Sequence, residues 1–237
     1  KKTIAMSILS NYSDGFFNVG AENGFLPINA PLVKLPAKYQ DLQDVLDAMP
    51  VVLSENENGL LHTKDAIIAP VMAIKNHLAE VEKETDVFVL QALFRSYSFI
   101  SSAYLLEPSF QQFRIDGKYG KARNILPANI AQPYCKVAEK LDVFAWMDYH
   151  YSYSLGNYKK LDEKGDLNWE NITMCNKFSG QPDEVGFIML HVDINRFSAK
   201  LVGSVMQTIQ ALFNGNGAVS HLLSQNWETM KQMNLRR

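Results

Sequence analysis

The stretch Gly186–Phe213, GFIMLHVDINRFSAKLVGSVMQTIQALF, decides how the rest of the chain is read. Phe187, Leu190, Ile194, Leu201, Val205 and Leu212 recur at helical spacing, which predicts one long helix burying that stripe. His191 interrupts the stripe between Leu190 and Val192. A buried imidazole must satisfy both ring nitrogens, through either a core partner or a ligand, and spacing alone favours the core partner. Asp193 and Arg196 fall off its face, so no Ser-His-Asp arrangement is implied.

Outward from this helix the pattern stays helical. PAKYQDLQDVLDAM carries Tyr39, Leu42, Val45, Leu46 and Met49 at helical spacing up to Pro50. TKDAIIAPVMAIKNHLAEVEKE repeats it, with Pro70 predicting a kink or a late start. DVFVLQALFRSYSFISSAYLLEPS is apolar over most of its circumference, which predicts a central helix whose Ser98, Ser101, Ser102 and Ala103 admit a close neighbour. LPANIAQPYCKVAEKL and the aromatic FAWMDYHYSYSLGNYKKLD follow. No strand pair with a turn signal stands out and no repeat is evident, so the expected class is all-α, a bundle of packed helices. The first 35 residues, rich in Gly, Asn and Pro, are expected to be an irregular leader packed on the helices. KFSGQPDEVG offers the boundary, giving a domain over 1–178 and linker plus further helices over 179–237.

With 237 residues, 47% of them hydrophobic, and a net charge of -2, the chain can bury a substantial core. Its charges are scattered, without the basic stripe that nucleic acid or anionic lipid requires. Neither Cys135 nor Cys175 has disulfide or zinc spacing, no run reaches the roughly 18 apolar residues of a membrane span, and no secretory leader is recognisable, so the expected setting is the cytoplasm. The chain opens on Lys1 and closes on KQMNLRR without a helix stop, as a portion of something longer would.

Chemistry is sparse. His62, His77, His150, His191 and His221 show no metal-ligand spacing, and His62 and His77 are expected in solvent, His221 on an ordinary helix. Trp146, Tyr149, His150, Tyr151, Tyr153 and Tyr158 could pack as an amphipathic helix or line a pocket for a flat aromatic molecule, with Ser154 and Gly156 leaving room beside the rings. Nucleotide and hydrolase motifs are absent.

In their order and spacing, NGFLP, SFISSAY, LPANIAQPYCKVAEKL, NYKKLD and FSGQPDEVGFIMLHVDI resemble the indoleamine 2,3-dioxygenase family of heme enzymes, over roughly residues 24–200. The resemblance implies a smaller N-terminal helical domain on the distal side of heme, followed by the start of a larger heme-binding domain. It implies opening of the pyrrole ring of tryptophan or a related indole with O2, giving an N-formylkynurenine-type product. Phe187 and Ile188 would then contact the indole, with His191 facing oxygen or the indole N–H as an orienting group. Alignment on NYKKLD places His150, Tyr153 and Ser154 at the pocket, where Tyr153 departs from better-known members and would narrow it. The family's iron-ligating histidine is expected beyond residue 237, and neither His221 nor Arg236 takes over a downstream role. A heme-free module binding an aromatic ligand or a partner protein, and a heme enzyme that rearranges a tryptophan derivative, are the alternative readings.

Overall fold

The computed structural model describes residues 18–215 and 217–236. The fold is mostly helical, as expected of the all-α class. Its centre is α4 (Val87–Asp116), with α1 (Gln40–Ala48), α2 (Ile68–Ala73), α3 (Leu78–Lys83) and α5 (Ala128–Lys140) around it. Asp86 starts α4 by accepting hydrogen bonds from the amides of Phe88 (2.8 Å) and Val89 (3.4 Å). Gly117, in the left-handed region at φ 73°, ends it. The all-round apolar pattern has the expected outcome, since Leu93, Phe94, Tyr97, Phe99 and Ile100 are all buried. The small Ser98 lets α5 approach, and its hydroxyl pairs with that of Tyr134 at 2.8 Å.

Two short antiparallel pairs correct the expectation that strands are absent. β1 (Val52–Ser54) pairs with β2 (Glu57–Asn58), and β3 (Tyr158–Lys160) pairs with β4 (Ile172–Met174) in the register Tyr158↔Met174. Both are too short for alternation to be legible. The helix expected across residues 63–84 is broken between α2 and α3. Asp41 accepts the Lys75 amide (2.8 Å) and contacts His77 Nε2 (2.7 Å), drawing the chain out of helical winding. His77 is therefore 2% exposed, edge-on to Tyr39, where solvent was expected. His62 is half-buried, and His221 is an exposed residue near the start of α8 (Val219–Asn234).

The long helix of the opening stretch is two helices, α6 (Pro182–Asn195) and α7 (Ser198–Phe213). The break is held by the Ser198 hydroxyl, which donates to Asn195 O (2.6 Å) and accepts the Phe25 amide (2.9 Å). Gly24, at φ 60°, packs so closely here that a Cβ would lie 2.1 Å from Ser198 Oγ. NGFLP thus docks the leader onto the start of α7, as a packed leader should; residues 1–17 lie outside the described residues. The buried face is also not the expected one. In α6 the core takes Ile188, Met189 and Val192, with Asp193 paired to Arg196 at 2.9 Å, while Phe187 is exposed. In α7 the face against α8 is Ser204, Thr208 and Ala211, opposite Asn226 and Thr229, leaving Val205, Ile209, Leu212 and Phe213 outside. Small, hydrogen-bonding side chains let these two helices approach closely, and Ser204 bonds Asn226 across the contact.

Two apolar clusters result. The larger surrounds α4; the smaller gathers Leu26, Leu155, Tyr158, Ile172, Met174, Ile188, Met189 and Val192, and Tyr153 packs against both. Burial raises the phenol pKa of Tyr151 and Tyr158 to about 12, and pushes Tyr97 and Tyr134 upward as well. These phenols hold their protons in the folded state after the unfolded chain has lost them near its ordinary value of about 10. Their contribution to stability is therefore complete below that pH and is lost as pH climbs toward 12. An alkaline absorbance titration is expected to show these tyrosines ionising together with the loss of helical circular dichroism.

Candidate functional site

The site is built where α6 meets the aromatic segment Tyr149–Leu155. That segment's sequence left open an amphipathic helix or a pocket lining; it winds more widely than an α-helix, with the Gly156 amide bonding Tyr151 O five residues back at 2.8 Å. Asp148 starts it by accepting the Tyr151 amide at 2.6 Å and the Ser152 hydroxyl at 3.0 Å. Its end is fixed from the core, where buried Arg95 donates to Gly156 O (2.8 Å) and Leu32 O (2.6 Å). Asn157 then turns the chain into β3, accepting the Asn176 amide (2.8 Å) and donating to Asn176 O (2.9 Å).

Glu184, Phe187 and His191 follow one another at three and four residues, and so share a face of α6. Tyr149 and Tyr153 meet that face. His191 packs edge-on against Phe187 (centroids 5.1 Å apart) and Tyr149 (5.6 Å), and Tyr149 packs edge-on against Tyr153 (5.8 Å). His191 Nδ1 lies 2.8 Å from Phe187 O. A carbonyl can only accept, so in the neutral ring the proton sits on Nδ1 and the lone pair on Nε2. The Tyr149 hydroxyl, 3.2 Å from Nε2, donates to it. Phe187 is 58% exposed and Tyr149 49%, so the group is a surface with aromatic walls and one half-buried imidazole.

Beneath it, the Glu184 carboxylate accepts the amides of Phe178 (2.8 Å), Ser179 (2.9 Å) and Gly180 (2.9 Å), and the hydroxyls of Ser179 (2.9 Å) and Tyr153 (3.3 Å). Tyr153 also packs on Phe99 and Phe178. Burial, reinforced by the Glu184 charge, pushes its phenol well above the ordinary range, so it remains a donor. Gly180, at φ 73°, lets the loop pass so close to β1 that a Cβ would stand 1.9 Å from Val52 O.

Of the residues singled out from the sequence, His191, Phe187 and Tyr153 are brought together. His150, in the same segment, is exposed. Ser154 is 1% exposed and Ile188 is fully buried in the smaller cluster, so both lie behind the surface rather than on it. The room expected beside Gly156 is filled by the Tyr151 ring, against which a Cβ would stand at 2.5 Å. Sequence reading missed Tyr149 as the partner of His191 and Glu184 as the anchor of the loop. Glu184 had a signal: it is the third residue of a helix opened by Pro182, a position whose carboxylate reaches back to the amides before the helix.

Among the described residues no group of three or more His, Cys, Asp or Glu could hold a metal ion, and no helix is long and apolar enough to cross a membrane. Heme, the group the resemblance implies, would find the exposed rings of Phe187 and Tyr149 as apolar surface to pack against.

The family pattern described as Indoleamine 2,3-dioxygenase matches residues 14–235, and this chain belongs to that family. It is 26% identical over 208 residues to the indoleamine 2,3-dioxygenase of Saccharomyces cerevisiae, covering 84% of this chain and 41% of that protein. It is 29% identical over 168 residues to indoleamine 2,3-dioxygenase 1 of Mus musculus, covering 68% of this chain and 34% of the mouse protein. The chain thus spans less than half the length of either relative.

Replacing Glu184 by Gln removes the charge from five hydrogen bonds and places an amide donor among donors. Glu184→Gln is expected to lower unfolding stability by about 1–3 kcal/mol in a denaturant titration. Tyr153 should become easier to ionise, read from the alkaline absorbance of the variant.

Proposed function

We propose that this chain forms the distal wall of a heme dioxygenase that opens the pyrrole ring of tryptophan or a related indole with O2, giving an N-formylkynurenine-type product. The observation that carries the reading is the meeting of Phe187, His191 and Tyr149 on one aromatic surface, in a chain of the indoleamine 2,3-dioxygenase family. Heme, when bound, supplies the activation of dioxygen.

The chain's own residues supply binding and orientation. Phe187 offers a flat apolar face to the indole, and its exposed ring is available for that contact. His191 orients the substrate; the indole N–H is too weak an acid for proton abstraction by an imidazole to drive the reaction. Tyr153, its hydroxyl tied to Glu184 and its ring against Tyr149, would narrow a pocket closed over this surface and so bear on substrate choice. His150 stands at the rim, while Ser154 and Ile188 back the wall from behind. The apolar stripe left outside on α7 supports reading 1–178 as a smaller domain and 179–237 as the opening helices of a larger one, because a stripe of this kind ordinarily lies against further structure. The balanced, scattered charge suits a small-molecule reaction without nucleic acid or an anionic membrane as partner, and cysteines without disulfide spacing suit the cytoplasm.

The test is a heme titration of the complete gene product, followed by absorption spectra of its ferrous form with O2 and then with tryptophan. A stoichiometric Soret band that shifts on adding an indole is the expected result. Absence of saturable heme binding by the intact, folded protein would overturn the dioxygenase reading and favour a heme-free module that binds aromatic ligands through Trp146, Tyr149 and Phe187, all exposed. His191→Ala is expected to leave heme uptake and the melting temperature near those of the parent while weakening indole affinity roughly three- to tenfold, as loss of one hydrogen bond does. Unchanged affinity would return His191 to a packing role.

A further inference from the structure

We propose that Tyr149 is a specificity-determining residue: its hydroxyl occupies the lone pair through which His191 reads an N–H donor on the ligand, so a ligand must displace it to be recognised. This inference rests on the reading of the aromatic surface as an indole site and adds to it the direction of the hydrogen bond and its internal competitor.

The direction follows from one contact. Because His191 Nδ1 is committed to Phe187 O at 2.8 Å, the neutral imidazole presents Nε2 as an acceptor and has no proton to give there. Such a nitrogen recognises an indole N–H and cannot donate to an oxygen acceptor. The same backbone carbonyl belongs to the residue whose ring forms the apolar wall, so the orientation of His191 and the placement of Phe187 are coupled within one turn of α6.

The competitor follows from a second contact. Tyr149 places its hydroxyl 3.2 Å from Nε2 and its ring edge-on to both His191 and Tyr153. Partial burial raises its phenol above the ordinary value, keeping it protonated and a donor. An arriving N–H donor exchanges one hydrogen bond at Nε2 for another. A ligand without that donor must either leave Tyr149 in place or strand the acceptor lone pair against an apolar group, which is unfavourable in a half-buried site. The pair therefore discriminates an N–H heterocycle from its N-alkyl analogue, and the Tyr149 hydroxyl sets how much affinity the preferred ligand gives up. Tyr149 is half-exposed, so removing its hydroxyl disturbs little packing.

The experiment is a calorimetric titration of the full chain, its Tyr149→Phe variant and its His191→Ala variant with indole and with N-methylindole, alongside nitrogen NMR of histidine-labelled protein. Tyr149→Phe is expected to bind indole roughly three- to tenfold more tightly with N-methylindole unchanged, and His191→Ala to lose the preference between the two. NMR is expected to find the proton of neutral His191 on Nδ1, and the Nε2 resonance to move in Tyr149→Phe. A proton on Nε2, or an equal response of both ligands to Tyr149→Phe, overturns the proposal. Failure of the parent and both variants to bind either ligand overturns the indole reading of the surface and the ligand competition with it. The NMR arm decides the Tyr149–His191 hydrogen bond separately.

Discussion

The carboxylate of Glu184 is the constraint on which the site depends. Three consecutive amides, at Phe178, Ser179 and Gly180, would otherwise leave a tight loop with several donors and few acceptors. Glu184 answers all of them from the first turn of α6, where the helix dipole also favours negative charge. The carbonyls of the same loop are taken by β1 and its neighbour, with the Val51 amide on Phe178 O and the Val52 amide on Ser179 O. One side chain thereby fixes α6 relative to β1 and, through Tyr153, relative to the aromatic segment.

Tyr153 carries that constraint into the packing. It packs against both apolar clusters, and its hydroxyl ends on Glu184. The buried guanidinium of Arg95 performs the matching task at the other end of the segment, binding the carbonyls of Gly156 and Leu32. Between Asp148, which caps its start, and Arg95 at its end, the segment winds more widely than an α-helix and presents Tyr149 to His191. Residues two apart lie on opposite sides of such a winding, so Tyr151 points inward while Tyr149 faces outward.

Much of this architecture was legible. The all-round apolar pattern of residues 86–109 and the Gly24 and Pro27 leader motif have direct physical readings, and the structure bears them out as a buried helix and a docked leader. The family resemblance grouped His191, Phe187 and Tyr153 at one pocket, whereas periodicity and composition alone gave no sign that they meet. The long helix at 186–213 was misread because periodicity records which residues share a face and not which face has a neighbour. Leu212 and Val205 share a stripe with Phe187, yet α8 packs on the opposite side, through Ser204 and Thr208. His77 was misread for a related reason: its polar sequence neighbours hide Asp41, a partner 36 residues away.

By itself, then, the sequence determined the helical class, the family and the identity of the residues able to make an aromatic surface, because composition, periodicity and ordered motifs are properties of the chain. Tertiary structure alone decided that Ile188 and Ser154 lie behind that surface, that Tyr149 belongs on it, and that the lone pair of His191 points at a phenol. Those outcomes depend on Glu184, Arg95 and Ser198 bonding backbone amides and carbonyls, and such a hydrogen bond leaves no trace in residue type on its backbone side.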